Sequence, residues 1–131
     1  MSPPPAGLLR AYRCTEYRVA GAVVRIGRRS AAVDGRLRAA RVRSAVLLTA
    51  WNPRSRRMPA GWNLRRQRIL GERLGRRPVL PAEGVWHGWH EAHLLVLGAE
   101  PPICRIAWTF RQRAVVVLRR GQAARLRFNP G

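Results

Sequence analysis

Three short apolar runs constrain this chain most: residues 45–51 (AVLLTAW, interrupted only by Thr49), 94–97 (LLVL) and 114–118 (AVVVL). None approaches the roughly 20 residues that a membrane-spanning helix needs. A run of this length without polar alternation reads as a strand covered by packing, and residues 45–51 read as a central strand buried on both faces. Asn52-Pro53 ends that strand, because proline pushes the preceding residue towards extended geometry and cannot donate to a ladder.

Between these runs the periodicity changes. Residues 62–77 predict a helix whose buried face carries Asn63, Leu64, Gln67, Leu70, Gly71 and Leu74, with arginines opposite. Val79-Leu80 predicts a short strand, residues 81–88 a turn-rich connection, and residues 93–98 the next strand. Pro101-Pro102 suits a helix start, where missing amide hydrogens cost nothing. That helix runs to about residue 111 and buries Ile103, Ile106, Ala107 and Phe110. From residue 45 to 118 the order is strand, helix, strand, strand, helix, strand, the split βαβ arrangement of ferredoxin-like domains. Upstream, residues 17–27 read as a strand or a hairpin around Gly21. Ser30 stands at the N-cap of a weak helix broken by Gly35. Residues 124–128 alternate as a final strand.

The predicted fold is therefore α+β: a mainly antiparallel sheet with helices on one face, in two layers. It has a ferredoxin-like βαββαβ core, an extra N-terminal strand and helix, and a C-terminal hairpin strand. A flexible Pro-rich tail (1–7) precedes one domain (8–131), a length that builds a core without metal or disulfide staples. Cys14 and Cys104 form no framework of spacings, and no signal peptide opens the chain, so a cytoplasmic protein is expected.

Charge is extreme. All 26 basic residues are arginine and only six acids oppose them, giving +20 at neutral pH. Such a field attracts polyanions. The complete absence of lysine also fits GC-rich coding, which enriches arginine without selecting a site. Arg54, Arg56 and Arg57 follow the central strand, and Arg65, Arg68, Arg73 and Arg76 share one face of the next helix. Together they form the candidate nucleic-acid surface. No aromatic motif of the sheet-stacking RNA readers accompanies them.

Familiar catalytic signatures are absent: no glycine-rich phosphate loop, no nucleophile elbow and only one aspartate. The residues call for no cofactor. His87, His90 and His93 are the only histidines and offer a weak metal candidate, since on one strand His87, Glu91 and His93 would share a face and on a helical turn His87, His90 and Glu91 would cluster. The alternative is a turn around residues 86–90 with its rings packed together. Glu91 is a lone carboxylate whose default partner is an arginine, and whose functional reading is a general base or ligand anchor. Asn63 and Gln67 on a buried helix face need partners, and Thr49 and Asn52 are near enough in the chain to supply them.

Thr49-Ala-Trp-Asn-Pro53, with Tyr12, Thr15 and Tyr17 upstream, resembles a bacterial family of uncharacterised proteins, domain of unknown function 3293. Asn63, Glu91 before the 94–97 strand, and Phe110-Arg-Gln112 continue the resemblance across residues 8–128. Phe110-Arg-Gln-Arg-Ala114 departs from the family's Phe-Gly-Gln-Asn-Ala, and Glu91-Ala-His93 from its Glu-Pro-Ser. The resemblance implies no activity. It groups Thr49, Asn52, Asn63, Glu91 and Gln112 as the polar positions that match, with Asn52, Glu91 and Gln112 as weak catalytic candidates. Gln112 is expected at the far end of the neighbouring strand from Asn52.

Two functions compete on these grounds. The first is a polyanion- or nucleic-acid-binding module of low sequence specificity, using the seven arginines. The alternative is a small enzyme or ligand-binding protein with a polar pocket around Asn52, Asn63, Glu91 and Gln112. Nothing in the sequence sets an oligomeric state.

Overall fold

The computed structural model describes residues 6–131. Of the tail expected over residues 1–7, residues 1–5 lie outside the described part, while Ala6 and Gly7 open a helix. In chain order the elements are α1 (Ala6–Cys14), β1 (Glu16–Val19), β2 (Ala22–Val24), α2 (Ala31–Ala39), β3 (Ser44–Leu48), α3 (Ala60–Leu74), β4 (Val79–Trp86), β5 (Trp89–Leu97), α4 (Glu100–Thr109), β6 (Ala114–Arg119) and β7 (Arg125–Phe128). A 3₁₀ turn, Pro53–Ser55, lies between β3 and α3.

One sheet takes all seven strands in the order β2-β1-β4-β5-β3-β6-β7, with every neighbouring pair antiparallel. Its middle, β4-β5-β3-β6, has the ferredoxin-like order. The sheet curls until its edges meet. Gly27 donates to the Ala124 carbonyl at 2.7 Å, Ala124 donates to that of Arg28 at 2.9 Å, and Ile26 bridges Ala124 in parallel.

Strand alternation separates two apolar clusters. On the outer face Val46, Leu48, Val96, Val115 and Val117 pack against Leu70 and Leu74 of α3 and Ile103 and Ala107 of α4. On the concave face Tyr17, Val19, Ala45, Leu47, Leu95, Leu97, Val116 and Leu118 surround Val33 and Leu37 of α2. The two core helices thus share one face, as the split βαβ pattern requires, and α2 fills the inside of the curl. Ser30 caps α2 by accepting from the Val33 amide at 3.2 Å. Gly35 does not break the helix, because its neighbours Val33 and Leu37 are anchored in the core on either side.

Three local expectations change. The connection expected over residues 81–88 is strand: β4 runs unbroken from Val79 to Trp86, paired along its length with β5. Pro81 is tolerated because β1 reaches only to Val19, opposite Ala82, so no neighbour on that side asks for the missing amide hydrogen. The turn is two residues, His87-Gly88, with φ of 48° and 73°, the doubly left-handed geometry that matches strand twist. Second, Leu64 is 60% exposed, and the buried stripe of α3 runs instead through Asn63, Leu70 and Leu74. Third, α1 was not expected. Leu8, Ala11 and Tyr12, at helical spacing, turn towards the concave side, and Tyr12 meets Phe128 edge-on at 6.4 Å.

Glu100, 4% exposed at the start of α4, ties the outer layer to the sheet. It accepts from Arg127 at 2.6 Å, Arg119 at 3.0 Å and Arg125 at 3.5 Å. Burial would raise its carboxyl, but these arginines outweigh burial and hold it below the ordinary value. Its contribution is therefore full above the unfolded carboxyl's pKa and is lost as pH falls through the lower, folded one. Glu100→Gln should lower stability by about 1–2 kcal/mol at neutral pH, the guanidiniums being half exposed. Urea melts of both proteins should converge on acidification.

Candidate functional site

The concave face is not filled to its end. Beyond Leu47, Val116 and Leu126 a cavity of about 340 Å³ opens between the sheet, α1 and the 51–57 loop. Its position follows from the chain: α2 plugs one end of the curl, and α1 only roofs the other.

Its polar wall begins where β3 ends. Thr49 donates to the Ala92 carbonyl at 2.6 Å and accepts from the Trp51 amide at 3.0 Å. Gln67, reaching up from α3, accepts from the Ala50 amide at 2.8 Å and lies 3.2 Å from the Thr49 hydroxyl. Asn52 is not extended before Pro53: φ is 46° and ψ is 62°. Asparagine tolerates this left-handed conformation, and hydrogen bonds hold it there. Its amide donates to Asn63 Oδ1 at 3.0 Å. Its Oδ1 accepts from Asn63 Nδ2 at 3.0 Å and from the Met58 amide at 2.9 Å. Its Nδ2 donates to Glu91 Oε1 at 2.6 Å. Arg54 and Ser55 also have positive φ, so the loop stores backbone strain beside the cavity.

Gln112 stands at the same end as Asn52, not the far end. Antiparallel pairing brings the start of β6 beside the end of β3. Gln112 Nε2 donates to the Trp51 carbonyl at 3.1 Å. Thr49, Asn52, Glu91 and Gln112 therefore line one cavity, and Asn63 braces it from behind.

Glu91 breaks the arginine expectation. Glu16, Asp34 and Glu100 pair with arginines and Glu83 with His90. Glu91 makes no ion pair among the described residues. Besides Asn52 it receives the Trp89 indole N–H at 3.3 Å. Two residues along β5, on the same face, His93 packs edge-on against Tyr17 with ring centroids 5.4 Å apart. Burial pushes its imidazole below the ordinary value, against the pull of the Glu91 carboxylate. Burial likewise raises the Tyr12 and Tyr17 hydroxyls, so both stay protonated. Gly84 makes room for the ring, since a Cβ there would stand 3.0 Å from His93 Cε1.

The three histidines do not converge. His87 sits in the β4–β5 turn against Trp86, with centroids at 4.7 Å, and His90 faces Glu83 at 2.9 Å. Only His93 enters the cavity, and no trio of His, Cys, Asp or Glu among the described residues is placed to hold a metal. Arg54, Arg56, Arg57, Arg65, Arg68, Arg73 and Arg76 are all exposed. Arg57 alone of these lines the cavity, its guanidinium 4.5 Å over the Trp89 ring.

Sequence reasoning missed the aromatic walls, Trp51, Trp86 and Trp89, and the role of His93 as a lining residue. The period-2 alternation from Glu91 through His93 to Leu95 and Leu97 carried that signal.

Because folding disfavours the His93 imidazolium, the unfolded chain binds a proton near pH 6.5 that the folded one refuses. Stability should fall as pH drops below about 6.5, more steeply than in His93→Gln, as thermal melts across pH 5–8 will show. Gly84→Ala should displace the ring and cost about 1–3 kcal/mol in urea melts.

Residues 48–115 match the profile of a family described as protein of unknown function (DUF3293). The span is shorter than the 8–128 expected from sequence, but it runs from the end of β3 to the start of β6 and contains Thr49, Asn52, Asn63, Glu91 and Gln112. No curated protein and no solved structure matches the chain. With just over half of its length inside that profile, the chain belongs to the DUF3293 family.

Proposed function

We propose that the protein binds a small ligand in the cavity of its concave face. The observation that carries this is Glu91: in a chain with 26 arginines, a cavity-lining carboxylate is held by an asparagine and an indole and by no arginine. An amide and an indole orient the carboxylate while leaving its charge unneutralised. The volume, about 340 Å³, lies within the range of small-molecule sites, and the lining combines apolar and aromatic walls with few polar groups. Strain in the 52–55 loop and the burial of His93 fit a site built for binding. An enzyme using Glu91 or His93 as a base is the chemical extension of the same reading.

Ala114 lines the cavity from β6, so Ala114→Phe should block it, and Ala11→Phe should do so from α1. In a thermal-shift screen of small metabolites, at least one compound should raise the melting temperature of the wild type and of neither blocked variant. Shifts of equal size in all three proteins, or none in any, sink the reading.

A polyanion-binding surface is the second reading. It is favoured by one observation: the seven arginines from Arg54 to Arg76 named above are all exposed on adjoining segments and, like most arginines of a chain with six acids, make no ion pair among the described residues. If they bind phosphates, affinity for a generic oligonucleotide should fall by roughly 10³ or more between 50 and 200 mM salt. Charge reversal at Arg65, Arg68 and Arg73 should abolish it. Binding that ignores both salt and charge reversal counts against this surface.

A further inference from the structure

We infer that the cavity's ligand is a guanine mononucleotide, with the N–H edge of its ring towards Glu91 and His93 and its phosphate towards Arg57. This rests on the ligand-binding reading above.

The buried end offers acceptors. Glu91 Oε1 already receives Asn52 and Trp89, while Oε2 has no donor among the described residues. His93 Nδ1 lies 3.1 Å from the Glu91 carbonyl oxygen. A carbonyl only accepts, so Nδ1 carries the proton, and in the neutral ring Nε2 presents a lone pair. Three nearby side-chain donors are committed elsewhere, while the indole N–H of Trp51, which also lines the cavity, is buried without a partner among the described residues. The Thr49 hydroxyl goes to Ala92, the Asn52 amide group to Glu91, and the Gln112 amide group to Trp51. A ligand that fills this end must therefore bring N–H groups for Glu91 and His93 and an acceptor for the Trp51 indole. A guanine ring carries adjacent ring and exocyclic N–H donors, one for the free Glu91 Oε2 and one for the His93 Nε2 lone pair, and acceptors on its other edge.

The walls suit a flat body. Trp51, Trp86 and Trp89 line the cavity with Tyr12 and Tyr17. The rim suits an anion. Arg57 lies over Trp89, whose indole holds Glu91, so one tryptophan links the cationic rim to the acceptor end. Arg54 and Arg56 share its loop, and the charge of +20 draws anions from solution. Donor edge, flat ring and anionic tail, in that order from inside to outside, describe a nucleotide better than a free base or a free phosphate.

The test is an intrinsic tryptophan fluorescence titration with guanosine monophosphate, guanosine and inorganic phosphate at constant ionic strength. The proteins are the wild type, Glu91→Gln, Arg57→Ala and Ala114→Phe. Guanosine monophosphate should bind saturably, guanosine about tenfold more weakly, and phosphate alone should leave the fluorescence unchanged. Glu91→Gln should weaken both purine ligands about tenfold or more. Arg57→Ala, on an exposed side chain that folding does not need, should remove only the advantage of the monophosphate. Guanosine monophosphate binding that persists in Glu91→Gln and Ala114→Phe is binding to surface arginines and overturns the inference. If the metabolite screen yields a ligand blocked by Ala114→Phe while guanosine monophosphate fails, the nucleotide is wrong and the cavity stands. If nothing is sensitive to that block, both fall.

Discussion

The pairing of Asn52 with Asn63 is the interaction on which the rest of the site depends. The two residues share two hydrogen bonds at the point where β3 leaves the sheet, and both are almost wholly buried. Buried amides left unpaired would each cost about 1–3 kcal/mol, so neither residue tolerates the loss of the other. Their pairing fixes where the chain turns, at what angle α3 departs, and where the Asn52 side chain points. The direction of that side chain sets Glu91, and the strained loop that follows sets Arg57 against Trp89.

Around this knot the sheet divides its labour. The outer face is conventional, with α3 and α4 packed on valine- and leucine-rich strands. The concave face is apolar at the end that α2 fills and polar and aromatic at the end it leaves open. The same strands supply both regimes: Leu95 and Leu97 close the core, and His93 and Glu91, continuing along that face, line the cavity. Stability and the candidate site thus meet at one register, and a one-residue slip of β5 would carry both to the outer face.

Most of the core architecture was legible in the sequence because it is written in apolar runs. Residues 45–51, 94–97 and 114–118 could be little else than covered strands, and their order with the two helices fixed the ferredoxin-like pairing. The β4–β5 hairpin was obscured by Pro81 and Gly84, residues that signal turns locally but here exploit a missing neighbour and a close-packed imidazole. Helix α1 was obscured because it buries no residue fully. The polar members of the site were legible as unpaired amides and a lone carboxylate. The cavity itself was not, since a void arises from what α2 fails to fill, and no single residue encodes that. Arginine count pointed outward to the surface; the geometry gives weight to a cavity-lining acid that arginine leaves alone.

The short bridge between Ile26 and Ala124 has a consequence beyond shape. Open sheets present unpaired strand edges on which other chains can grow, and strands as rich in valine as β6 are good templates. Here β7 shields β6, and the two outermost strands are only three and four residues long and reach each other across the bridge. The most adhesive sequences of the chain are held in the middle of the ladder. What remains outside is brief, curved and flanked by arginine, a boundary on which recruitment of further strands has no straight line to follow.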